Sequence, residues 1–149
     1  MNLLVNILTP IAPILTRLIV GSAFIAAGYG KLQNLERTTQ FFTNLGIPAP
    51  GIQAPFIAGL EFAGGIALIV GFGTRIFSAL LAATMTVAIA TAHREEFINA
   101  VKFSGDKTPI DVTPVYYLLP LGWLIVAGAG AMSIDRLLSS RSANSNTKA

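Results

Sequence analysis

Residues 57–75 read IAGLEFAGGIALIVGFGTR, a run that suits the hydrocarbon core of a bilayer except for one carboxylate, Glu61. This stretch decides the fold. It shows no period-two alternation, which excludes a membrane barrel strand, and it approaches the about 20 residues a helix needs to cross about 30 Å of hydrocarbon. Three more stretches share its character, so the predicted spans are about 13–31, 55–73, 75–93 and 113–134. Pro10 and Pro13 stand where proline suits a helix start. The expected fold class is therefore all-α: an integral membrane four-helix bundle over residues 1–138, in which every backbone group is satisfied within a helix.

The connections differ in kind. FGTR, residues 72–75, is short enough to force an antiparallel hairpin between the second and third spans. Between the first and second, LERTTQFFTNLGIPAPG predicts a short amphipathic helix presenting Leu35, Phe41, Phe42 and Leu45, stopped by Gly46 and Pro48 and lying in the interface plane. Residues 94–112 carry four acids and three bases and read as a solvated loop. The tail from Ser139 is expected to be disordered by composition.

Composition agrees with the membrane reading. Hydrophobic residues make up 53% of the 149 and charged residues 11%, less than half the share of an ordinary soluble domain. A formal charge of +3, spread over short loops without interleaved aromatics, excludes a nucleic-acid partner and fits anchoring to membrane lipid. With no cysteine and one histidine, the chain has no thiol redox centre, iron–sulfur ligation or usual zinc site, so no metal and no intrinsic cofactor is expected. The N-terminus lacks a basic n-region and is interrupted by Arg17, so it is read as a retained segment rather than a signal peptide. The FGTR turn and the tail hold Arg75, Arg136, Arg141 and Lys148 against Asp135. Such a bias at helix ends favours cytoplasmic termini.

An ionisable group within a bilayer is a functional hypothesis by default. Counting from Pro55 at 1.5 Å per residue, Glu61 lies about 9 Å below the outer surface. Lys31, His93, Tyr29, Tyr116 and Tyr117 belong to that layer and form with it a candidate outward-facing polar pocket. Glu61 and His93 are the candidates for proton exchange, with Lys31 and the tyrosines as ligand-binding groups. Against this stands a plain structural carboxylate that fixes helix register. Arg17 lies about 21 Å below Lys31 on the same count, near Arg75, Asp135 and Arg136, and this group reads as structural or topology-determining. Gly59, Ala63, Ala67 and Gly71 recur every fourth residue and predict a close helix contact, with Glu61 on roughly the opposite face. GAGAMS, near the end of the fourth span, predicts a similar contact, and Pro120 a kink. GYGKL and GFGTR share a pattern read as common helix-exit chemistry.

RLIVGSAFIAAGYGKL, FFTNLGIPAP, LEFAGGIALIVGFGTR, TAHREEF and GAGAMSIDRLL together resemble the DoxX family of small four-helix bacterial membrane proteins, over about residues 13–138. The resemblance implies a multi-pass protein of the bacterial inner membrane with cytoplasmic termini. It also implies association with membrane redox complexes, since the family's name comes from subunits of a thiosulfate:quinone oxidoreductase. The positions that match its motifs are Arg17, Gly28, Lys31, Glu61, Gly71, Arg75, His93, Asp135 and Arg136. Three functional classes follow as expectations. The first is a redox-associated protein holding a quinone near Glu61, with electrons supplied by a partner. The second is a non-catalytic scaffold or accessory subunit that binds a membrane protein or a second copy of itself; a small transporter is the least supported.

Overall fold

The computed structural model describes residues 2–104, 108–130 and 133–135, with side chains described from Ile11 onward. Arg136 and the tail 139–149 fall outside this set. Among the described residues there are six α-helices and one 3-10 turn: α1 Asn2–Gln33, α2 Leu35–Asn44, α3 Pro50–Val70, α4 Thr74–Ala90, α5 Arg94–Val101, the turn Pro109–Asp111, and α6 Thr113–Ala127. The four longest pack in a closed order, α1 on α3, α3 on α4, α4 on α6 and α6 on α1. Val20, Phe24, Leu68, Leu81, Leu121 and Leu124 meet in the shared core. The chain forms an all-helical membrane bundle.

By length and composition, Ile11–Gln33 and Pro50–Val70 can each cross a membrane. α4 and α5 pass the same test only as a pair, and they are bent by 81° at the break between them. α6, at 15 residues, covers about 22 Å, short of a hydrocarbon core of about 30 Å. The expected span over 113–134 thus stops at Ala127. Gly128 and Gly130 both take positive φ there, so residues 128–130 of GAGAMS are not a helix face. Further corrections concern the ends of elements. Pro13 lies inside a helix that starts at Asn2, GYGKL lies within α1, and Pro55 lies inside α3. The polar loop expected over 94–112 contains α5 and the 3-10 turn.

The α1–α3 pair is the tightest contact in the molecule, and glycine makes it possible. A methyl group on Gly28 would stand 2.4 Å from the Phe62 nitrogen, and one on Gly21 would stand 2.7 Å from the Gly65 carbonyl oxygen. Without a hydrophobic drive between helices in lipid, association rests on such close packing. This seam overturns the expected one. Gly59 faces open space and Ala63 is exposed, while Ala67 and Gly71 of the same row are buried; the buried face of α3 carries Ala54, Ala58, Glu61, Gly64, Gly65, Ala67 and Leu68. Glu61 therefore lies on the packed face, not opposite it.

Arg17 pins the far end of the seam. Its guanidinium is 3% exposed, donating from Nε to the Leu68 carbonyl at 2.8 Å, from Nη2 to the Ile69 carbonyl at 2.8 Å, and from Nη1 to the Ala129 carbonyl. The first two carbonyls belong to the last turn of α3, where intrahelical donors run out; that of Leu68 also accepts from the Gly71 N–H at 3.2 Å. α3 ends in a left-handed Gly71, with the Phe72 N–H donating to the Ala67 carbonyl at 2.9 Å. Asp135 then accepts from the Gly73 N–H at 2.7 Å and the Thr74 N–H at 3.1 Å, capping α4. Arg75 donates to the Val126 carbonyl at 3.2 Å and ties α4 to the end of α6. One cluster thus joins α1, α3, α4 and the chain after α6.

Two outcomes follow for the purified protein in detergent. Gly28→Ala should cost about 1–3 kcal/mol through overpacking, while Gly59→Ala, which meets nothing, should leave the thermal midpoint unchanged. Arg17→Met should lower stability by about 2–3 kcal/mol because buried carbonyls lose their donor. Both are read by thermal or denaturant unfolding.

Candidate functional site

The site lies at the opposite end of the same seam. Fourteen residues after Arg17, α1 presents Lys31 where α3, running antiparallel, presents Glu61. Lys31 Nζ lies 2.5 Å from both carboxylate oxygens. The carboxylate is 2% exposed and the lysine side chain 34%, so the negative charge is enclosed while the ammonium reaches outward along its flexible stem. Breaking such a pair strands a buried charge, which costs far more than the pair contributes.

The pair opens onto a cavity of about 890 Å³ formed by α1, α2, α3 and α4, with the 91–93 turn and the start of α6. That volume is at the upper end for small-molecule sites. Its walls are mostly apolar, with Phe24, Phe41, Phe42, Phe56, Leu60 and Met85 among them. α2 closes one side. It is a short helix with no buried residue of its own, set between Asn34 and the left-handed Gly46, and Arg37, Phe41, Phe42 and Leu45 around it line the cavity.

The structure brings together some of the expected site residues and separates others. Lys31, Glu61, His93 and Tyr117 all line the cavity. Tyr117 packs its ring against Phe24 at 5.4 Å. Tyr29 is 52% exposed and stacks near Phe62 at 6.2 Å; Tyr116 is 56% exposed and meets Tyr117 edge-on. Neither lines the cavity. Arg17, Arg75 and Asp135 stand at the other end of the bundle, and Arg136 lies outside the described residues. Sequence reasoning missed Glu96, which holds His93 Nδ1 at 2.8 Å. The HxxE spacing in TAHREEF carried that signal, because residues three apart on a helix are neighbours. It also missed α2 as a wall, although the four apolar residues of that segment were evident.

Most polar groups around the cavity are occupied. The Thr84 and Thr91 hydroxyls donate to the Leu81 and Val87 carbonyls, and the Gln53 amide donates to the Pro48 carbonyl. His93 Nε2 has no partner among the described residues. The arrangement offers a ligand an apolar bed, an enclosed carboxylate–ammonium pair and an imidazole oriented by a carboxylate. Such a set can hold an apolar molecule and exchange protons with an oxygen on it. No group of three or more His, Cys, Asp or Glu that could bind a metal stands together among the described residues.

Comparison with known proteins identifies a family and three relatives. The DoxX family model matches residues 12–94. "Inner membrane protein YqjF" of Escherichia coli is 31% identical over 134 residues, covering 90% of this chain and 97% of that one; "Inner membrane protein YphA" of the same organism is 25% identical over 134 residues, covering 85% and 90%. "Putative oxidoreductase CatD" of Bacillus subtilis is 40% identical over 81 residues, covering 54% of this chain and 59% of that one. No solved structure matches.

The ion pair makes a testable energetic claim. Lys31→Met should destabilise the protein by about 3 kcal/mol by stranding the Glu61 charge, and Lys31→Met combined with Glu61→Gln should recover most of that loss. A double-variant cost equal to the sum of the Lys31→Met and Glu61→Gln costs would mean that the two side chains are not coupled.

Proposed function

The chain belongs to the DoxX family, and from that premise we propose that it is a redox-associated protein of the bacterial inner membrane that binds a quinone in the cavity beside Glu61. The observation that carries this reading is the enclosed Glu61 carboxylate, paired with Lys31, beside about 890 Å³ of mostly apolar space. Two further facts support it. One relative, matched over 54% of the chain, is named an oxidoreductase, with the qualifier its name carries, and the mostly apolar cavity walls suit a prenyl chain. A bound quinone supplies reversible uptake of two electrons and two protons. The chain's own residues supply the rest. Glu61 would take or give the proton, with Lys31 holding the carboxylate in place and balancing its charge, and His93, its ring fixed by Glu96, would pass protons on. Tyr117 would contribute to holding the ligand from the cavity wall. Electrons come from a membrane partner, and the termini face the cytoplasm.

A second reading, an accessory subunit or homo-oligomer without catalysis, draws on Gly59 and Ala63, small residues of α3 that face outward where another helix can approach. One experiment separates the two. Protein purified in a gentle detergent is extracted with organic solvent, and the extract is analysed by mass spectrometry beside Glu61→Gln. The proposal expects quinone stoichiometric with the chain in the native protein and its loss in the variant. Bulk lipid alone from both samples would overturn it and favour the accessory role.

A further inference from the structure

α5 carries a side chain that is costly in water for two independent reasons. At its C-terminus the Phe103 N–H donates to the Ala100 carbonyl and the Ser104 N–H to the Asn99 carbonyl at 3.0 Å, the closing pattern in which the left-handed position ordinarily belongs to glycine. Here that position is Phe103, with φ +53°, where a bulky side chain is a genuine outlier. The same phenylalanine is 80% exposed, and Val101 and Ile110 on the elements to either side of it are 49% and 52% exposed. An unfavourable backbone and an uncovered aromatic ring at one residue call for an environment that rewards the ring.

The fold supplies one. α5 is bent 81° from α4; with α4 packed among the bundle's long helices, α5 runs across the bundle's end and not along it. Its sides divide accordingly. Glu95, Asn99 and Lys102, at helical spacing, form a polar stripe, while Phe97 and Val101 lie on the other side, which Arg94 begins at the first residue of the helix. A basic residue next to an aromatic one, as in Lys102–Phe103, is the usual chemistry of the membrane–water boundary. We propose that α5 is an interfacial anchor: Phe103, with Val101 and Ile110, inserts into the lipid surface while Lys102 reaches the headgroups. His93 immediately precedes α5 and Glu96 lies in its first turn, so the depth of this anchor sets the position of the imidazole at the cavity. The proposal goes beyond the ligand reading and stands without it.

The test uses the full-length protein in vesicles of phosphatidylethanolamine and phosphatidylglycerol. Trp123 is the single tryptophan, so Trp123→Phe gives a dark background, into which Phe103→Trp is placed, with Glu95→Trp as the control on the polar stripe. The tryptophan at 103 should emit at shorter wavelength than the one at 95 and lose intensity to lipids brominated on the acyl chain. The one at 95 should be quenched by aqueous acrylamide instead. Water-like emission and acrylamide quenching at 103 would overturn the proposal. So would blue-shifted emission insensitive to brominated lipid, which would mean that protein covers the ring. Should Phe103→Trp not fold, Val101→Trp reports the same surface by the same criteria.

Discussion

Close approach of α1 and α3 is the constraint on which the rest of the molecule depends. Two helices that touch through Gly21, Gly28 and Gly65 bring backbones together and fix their axial register, since a shift by one residue would place side chains where only hydrogen fits. That register is then locked at both ends by a cation from α1 and acceptors on α3. At one end Arg17 takes two carbonyls of the last turn of α3. At the other Lys31 takes the Glu61 carboxylate. The two locks differ in what they leave behind. The Arg17 end is fully used, with Gly71, Asp135 and Ala129 converging on it, and it organises the helix exits. The Lys31 end opens onto a cavity, which places an ionisable pair where a ligand can meet it.

In water a buried carboxylate paired with a partly exposed lysine would be weak evidence of function, because such pairs often contribute little net stability. In a membrane bundle the balance differs. A bundle that needed only to hold α1 against α3 already has the glycine seam and Arg17. Glu61 adds a desolvation cost that the packing does not require, and the cavity beside it would be better filled by apolar side chains if stability alone were at stake. Cost and cavity at one place are what the proposed ligand reading rests on.

How far the sequence revealed this can be traced through particular residues. The membrane bundle and the amphipathic α2 were legible because composition and periodicity act locally. Glu61 and Lys31 were identified as layer-mates from depth counting alone, which needs only the helical rise. The face of Glu61 was misjudged, because the row Gly59, Ala63, Ala67, Gly71 is regular while the seam depends on glycines of the other helix, a pairing that neither helix shows by itself. α6 was extended to residue 134 because the stretch stays apolar; the break at Gly128 comes from backbone conformation and from Arg17 claiming the Ala129 carbonyl. α5 was read as loop because its eight residues are too few, and too charged, for the apolar stripe of Phe97 and Val101 to register.

The account turns on whether the enclosed carboxylate is an ion-paired group that meets a ligand. Infrared difference spectroscopy, native protein minus Glu61→Gln, isolates the Glu61 band with and without an added short-chain quinone. The account predicts an ionised carboxylate band that shifts when the quinone is added and is insensitive to a plain alkane of similar size. A band that does not respond to quinone, or a protonated carboxyl unaffected by Lys31→Met, would contradict it.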